Sequence, residues 1–360
     1  MFETHFWFVI GLIALIGGAE LLVRSASRLA TQFGISKLIV GLTVVAFGTS
    51  APELAVSIQA GINDQTDIMM GNIVGSNISN ILLILGIAAI ILPLKVNAKL
   101  IRVDVPIMIS ITVLMFLFAL SGAISFWECL ILVLLLVVYL IFLIRENKNE
   151  DIEIDIDAKK VHPLLNAFYG IGGLAALIFG ARWLVNSAVI YAELAGVSEL
   201  IIGLTIVSVG TSLPEIVTSI VAAVKGERDI AVGSVVGSNI FNILVVLGIA
   251  GLFIPESIPV RYELINFDLL ILIAASIACM PIFFTGHKIK RWEGALFLSL
   301  YICYVAYLYL SSTGHELIDL FSTGMLFFVL PLIVITVLSI AGWEWKRRQR
   351  FKGFGKNKKS

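Results

Sequence analysis

Residues 41–90 read GLTVVAFGTSAPELAVSIQAGINDQTDIMMGNIVGSNISNILLILGIAAI, and residues 203–252 read GLTIVSVGTSLPEIVTSIVAAVKGERDIAVGSVVGSNIFNILVVLGIAGL. The two stretches align without a gap at an offset of 162, and 27 of the 50 aligned residues are identical, more than shared hydrophobicity produces. Identity is densest where a membrane helix should be least polar. GTS-x-PE (Gly48 to Glu53, Gly210 to Glu215) and GSNI-x-N (Gly75 to Asn80, Gly237 to Asn242) set a carboxylate, hydroxyls and amides inside apolar runs. Ionisable groups are costly at that depth and mark function.

The chain around this repeat has 360 residues, 59% of them hydrophobic and 14% charged, with mean hydropathy +1.01. It holds too little polar surface to cover a soluble domain and reads as a polytopic membrane protein. Zero net charge, with basic residues in short loops and at the C-terminus, argues against a nucleic-acid partner. The start, MFETHFWFV, lacks the basic region of a signal peptide, so the first apolar run reads as a retained helix. Cys129, Cys279 and Cys303 lie in apolar spans without metal-ligand spacing and read as small core residues.

Apolar runs long enough to cross ~30 Å of hydrocarbon occur at about 6–24, 38–62, 69–92, 104–122, 125–144, 163–190, 200–224, 230–254, 266–285, 292–311 and 319–343. The expected fold is therefore all-α, with two five-helix repeats and an eleventh helix. Residues 1–144 form the first half, 145–162 a charged linker, 163–311 the second half, and 312–360 an additional helix with a basic tail. An odd number of helices per half makes the second enter the membrane inverted. With the N-terminus outside, the inner segments carry 23 of the 25 basic residues, leaving Arg182 and Arg261 outside. The positive-inside rule then places linker and C-terminus in the cytoplasm. The acidic run Asn149 to Asp157 lacks the glycine turn and terminal glutamate of a calcium-binding loop, and reads as solvated linker.

In GTSAPE, Pro52 cannot donate to the carbonyl four residues back, so the helix should break near Gly48 to Ala51 and free carbonyls near Ala46; Pro214 should do the same near Ser208. Ser50 and Ser212 read as N-caps of the helices that follow. Ser76 and Asn80, like Ser238 and Asn242, are four apart and share a helix face. The two copies together offer Glu53 and Glu215, Asn80 and Asn242, and the hydroxyls of Thr49, Ser50, Ser76, Thr211, Ser212 and Ser238. All are hard oxygen ligands without histidine or cysteine, a set that suits calcium or an alkali ion rather than zinc, copper or iron.

These motifs resemble the two α-repeats of the sodium/calcium exchanger family, of prokaryotic type, within the calcium/cation antiporter superfamily. The resemblance spans residues 1 to about 311. It implies inverted halves with Ca²⁺ and Na⁺ as transported ions rather than cofactors, held between the second and third helices of each half. By motif, Glu53 and Glu215 would coordinate both ions. Thr49, Ser50, Thr211 and Ser212 would lie on two broken helices, Ser76, Asn80, Ser238 and Asn242 would complete the cage, and Ala46 and Ser208 would add carbonyls. Some members carry aspartate at one of the positions held here by Asn80 and Asn242, so this cage has one titratable group fewer. The resemblance gives helix 11 no role.

Two neighbouring functions stay open. A proton-coupled antiporter would discharge the same carboxylates with protons, but such relatives usually carry GNA before the acidic residue, where this chain has GTS. A potassium-dependent exchange is the other. A channel does not require an inverted repeat around a neutralised site, and the spans contain no HExxH or paired catalytic aspartates, so no enzyme is indicated.

Overall fold

The computed structural model describes residues 2–147, 162–195, 208–254, 256–324 and 342. The first helix, α1 (Phe2–Phe33), outruns its apolar stretch because nothing in the basic segment breaks it. It stops where Gly34 takes φ +64 and the Ile35 amide donates to the Ala30 carbonyl, a glycine-dependent C-terminal turn. At 1.5 Å per residue it is roughly 48 Å long, so its ends reach the headgroups and Arg24 and Arg28 can extend into water.

After α1 come α2 (Lys37–Thr49) and α3 (Ala51–Ile62), bent by 44° at Ser50, then α4 (Thr66–Ile91), α5 (Leu100–Ala119) and α6 (Phe126–Asn147). The second half supplies α7 (Pro163–Leu194), α8 (Ser208–Thr211), α9 (Leu213–Val224), α10 (Arg228–Leu252), α11 (Leu264–Phe284), α12 (Arg291–Ser312) and the short α13 (Ile318–Gly324). Among the described residues, eight helices are long and apolar enough to cross a membrane, and nine if α2 and α3 count as one broken span. Most of the expected eleventh span, the start of the seventh, the linker and the basic tail lie outside the described residues.

Helices α1 and α7 pack antiparallel along their length on four glycines. A Cβ on Gly18 would meet the Gly173 carbonyl at 2.7 Å, and one on Gly180 would meet the Leu15 amide nitrogen at 2.6 Å. Gly11 with Gly173, and Gly18 with Gly180, stand 162 residues apart, so each half contributes the same pair. Small residues that let backbones touch are the usual means of packing helices in lipid.

The other helices form a bundle tied at both ends by two-residue ladders. Leu94–Lys95 (β1) pairs antiparallel with Lys288–Ile289 (β4), and Ala123–Ile124 (β2) with Ile258–Pro259 (β3). β1 follows α4 and β4 follows α11; β3 follows α10, the repeat mate of α4, and β2 follows α5, the mate of α11. Exchanging the halves converts one ladder into the other. Even the flanking bonds correspond, Val96 N–H to His287 O and Val260 N–H to Gly122 O, both 2.9 Å. The β1·β4 ladder shares its end of the molecule with the last turn of α6 and the first of α7, called here the linker end.

Candidate ion-binding site

Both broken helices take the same course. Ser50 (φ −83, ψ 4) interrupts α2 and α3, and Ser212 (φ −87, ψ 4) interrupts α8 and α9, each two residues before a proline that the following first turn tolerates. The expected capping role does not hold, because neither serine side chain bonds its own helix start. Ser50 Oγ instead donates to Glu215 Oε1 at 3.3 Å, a bond between repeats. Nor is the Ala46 carbonyl freed: it accepts the Ser50 amide at 3.0 Å and Thr49 Oγ1 at 3.3 Å. The amide that Pro52 lacks would have met the Gly48 carbonyl, so the turn ending at Ser50 keeps its own bonds while the chain bends after it.

Glu53 and Glu215 are 1% and 3% exposed, close enough for each to feel the other's charge, and Thr49 stands beside Glu215 with Ser50. Among the described residues, neither Glu53 oxygen, nor Glu215 Oε2, meets a hydrogen-bond donor. Two neighbouring carboxylates in low dielectric, with only neutral hydroxyls beside them, are tolerable only with compensating positive charge, a bound cation or a proton. Among the described residues no three His, Cys, Asp or Glu side chains gather into a metal cluster. Charge compensation falls to two carboxylates in a neutral oxygen environment.

The two amides and the Ser76 and Ser238 hydroxyls sit on α4 and α10, and Ser212 lies at the break between α8 and α9. Asn80, Asn242, Ser76, Ser212 and Ser238 are buried, and among the described residues both polar atoms of each asparagine, with the Ser212 and Ser238 hydroxyls, have no partner. Asn80 opens a π-helical stretch, Asn80–Ile84, and Asn242 opens its mate, Asn242–Leu247. Wide turns of this kind recur at functional sites, and here they re-aim the helix directly after each amide. Packing brings the halves together crosswise: α3 lies on α4 and α9 on α10, while α2 lies on α10 and α8 on α4. A Cβ on Gly237 would stand 2.6 Å from the Leu42 carbonyl and 2.8 Å from Ala46 Cβ, so glycine there sets the approach of α10 to α2. Thr211 and the Ser208 backbone lie in α8 at the corresponding place in the second half, and residues 203–207 upstream are outside the described residues.

The motif reading passed over three polar groups. Asn72 Nδ2 donates to the Glu53 carbonyl at 3.1 Å and to Ser57 Oγ at 3.0 Å, pinning α3 to α4 beside the carboxylate; the mate positions, Ser219 and Ser234, bond at 3.4 Å. Asn77 and Asn239 are buried, each ties Nδ2 to the carbonyl four residues back, and each leaves Oδ1 without a donor. The signal was present, since both are the N of GSN and fall within about 60° of Asn80 or Asn242 around the helix.

Residues 4–145 and 165–310 match the family model described as sodium/calcium exchanger protein. Sodium/calcium exchanger MaX1 of Methanosarcina acetivorans is 35% identical over 341 residues, covering 84% of this chain and 97% of that protein. Inner membrane protein YrbG of Escherichia coli is 36% identical over 311 residues, covering 84% and 95%. A solved structure of the sodium-calcium exchanger NCX_Mj, soaked with zero Na⁺ and Ca²⁺, superposes with TM-score 0.74 at 31% identity over 85% of this chain and 98% of that one. Family model, relatives and fold agree over the same span, and the chain belongs to the sodium/calcium exchanger family, a family of multi-pass membrane transporters.

Proposed function

We propose that this protein is a secondary active antiporter that exchanges Na⁺ for Ca²⁺ across the cell membrane by alternating access. The observation that carries the reading is the meeting of Glu53 and Glu215, one from each repeat, buried together, with Ser50 of the first repeat bonded to Glu215 of the second. One Ca²⁺ cancels both carboxylates, and sodium ions do so in its place. The cage of Glu53, Glu215, Asn80, Asn242 and the hydroxyls of Thr49, Ser50, Ser76, Thr211, Ser212 and Ser238 supplies the six to eight oxygens that calcium takes in flexible geometry. The Ala46 carbonyl joins when the Thr49 hydroxyl turns from it toward an ion, and the Ser208 carbonyl is its counterpart. Because an unneutralised carboxylate pair is costly in the dry site, the protein changes orientation only when loaded. Obligatory exchange follows from that cost.

Inversion of the halves is supported by the antiparallel α1/α7 pair and by ladders that interchange with the repeats. The skew of basic residues supports an outer N-terminus and a cytoplasmic linker end. Isotopic calcium uptake into proteoliposomes tests the function. An outward sodium gradient at fixed pH should drive uptake, and a pH gradient alone should not. Uptake that follows pH and ignores sodium transfers the assignment to proton coupling, and a requirement for potassium identifies the potassium-dependent variant.

A further inference from the structure

Charged side chains at the linker end tie α1 to the turn between α9 and α10. Glu20 of α1 accepts from Lys225 Nζ at 2.6 Å and also pairs with Arg24. Seven residues on, and so on the same face of α1, Ser27 Oγ donates to Glu227 Oε1 at 2.8 Å. Lys37, at the start of α2, closes the set on Glu227 Oε2 at 2.9 Å. The turn 225–227 is thus held by α1 at two points and by α2 at a third. Below it α1 lies along α9, whereas α7 makes no comparable contact with α3, the repeat-equivalent pair at the other end.

The repeat shows what the other end lacks. Glu20, Ser27, Lys37, Lys225 and Glu227 correspond to Arg182, Val189, Glu199, Asn63 and Gln65. In sequence, the opposite end keeps one charge of each pair and loses the other: Arg182 stands for Glu20 but Asn63 for Lys225, and Glu199, outside the described residues, stands for Lys37 but Gln65 for Glu227. The two ion pairs cannot recur there. We propose that Glu20–Lys225 and Ser27–Glu227–Lys37 form an electrostatic latch that keeps the linker end shut and biases the protein toward the state open at the opposite end. The proposal rests on the alternating-access reading. Opening the linker end draws α1 and the adjoining Lys37 away from the 225–227 turn and breaks both ion pairs, and closing the opposite end forms none to replace them. Partly exposed pairs of this kind shift a two-state equilibrium by about two- to tenfold, and they weaken as salt rises.

The test is thiol accessibility at Ala223, which is buried two residues before Lys225. Ala223→Cys is placed in the full chain with Cys129, Cys279 and Cys303 replaced by alanine, and reacted with a charged maleimide in sodium-containing, calcium-free buffer, where the loaded protein changes orientation. Lys37→Gln, Glu227→Gln and Lys225→Gln should each speed modification about two- to tenfold, and the charge exchange Lys37→Glu with Glu227→Lys should restore the slow rate. Hydrogen exchange of amides 221–227 in the native-cysteine chain, read by mass spectrometry, should rank the variants in the same order. Unchanged rates in all three single variants overturn the latch, as does acceleration that the charge exchange does not reverse. Sodium-driven calcium uptake by the same variants is recorded separately: its absence from the unmodified protein removes the antiport reading, while the thiol rates judge the latch whichever ion is carried.

Discussion

Ser50 bonds a carboxylate of the other repeat rather than its own helix, and this places the site's energetics in side chains that meet across the molecule. Glu53→Gln and Glu215→Gln should each lower calcium exchange by more than about a hundredfold with insertion intact, because either change leaves Ca²⁺ half neutralised where charge is expensive. Near-normal isotope flux in either variant removes the central claim. Ser50→Ala should be milder, a few-fold, since it deletes one neutral hydrogen bond worth about 1 kcal/mol. Asn77→Leu and Asn239→Leu remove amide oxygens that no protein donor satisfies. A several-fold rise in the calcium concentration needed for half-maximal flux is expected of them, with little loss of melting temperature, and the reverse pattern assigns them to packing.

Close backbone approach decides how the elements pack. Gly237→Leu drives a side chain into the Leu42 carbonyl and Ala46 and should cost at least about 1–3 kcal/mol, whereas Gly17→Ala, with no atom within 4 Å, should be neutral or slightly stabilising; thermal unfolding in detergent compares them. The elements were only partly legible in the sequence. Apolar runs announced α4, α5, α6, α10, α11 and α12, and the proline motif announced the break at Ser50, because hydrophobic length and a missing amide donor are local properties. The π turns after Asn80 and Asn242 were not legible, since a π turn differs from an α turn by how neighbouring helices press on it. The Ser50 and Ser212 caps were misread for a related reason: each local pattern fits a cap that accepts from a backbone N–H, but Ser50 turns its hydroxyl to donate to a carboxylate distant in sequence. The glycines joining α1 to α7 escaped notice because seven-residue spacing of small residues is common in membrane helices.

For the whole molecule, the skew of basic residues gives a direct check. Single cysteines introduced into the linker should resist an impermeant reagent added outside intact cells, and cysteines at Asn63 or Glu256 should react; the opposite pattern refutes an outer N-terminus. Severing the chain within the linker should also be tolerated, since the halves hold each other through many contacts away from it, among them α1 on α7, α12 on α4, α6 on α10, α2 on α10 and the two ladders. Fragments 1–152 and 153–360 expressed together should recover a substantial share of calcium uptake, and either alone none. The ladders carry this further. Each pairs a loop of one half with a loop of the other, and each turns into its counterpart when the halves trade places. A protein of half this length would have had no partner for its loops, and only one carboxylate, until a second copy lay beside it upside down. On the proposed inverted arrangement, a half-length ancestor would have had to lie in the bilayer both ways up and work as an antiparallel homodimer, and fusion of two such genes would have freed each half to keep a single orientation.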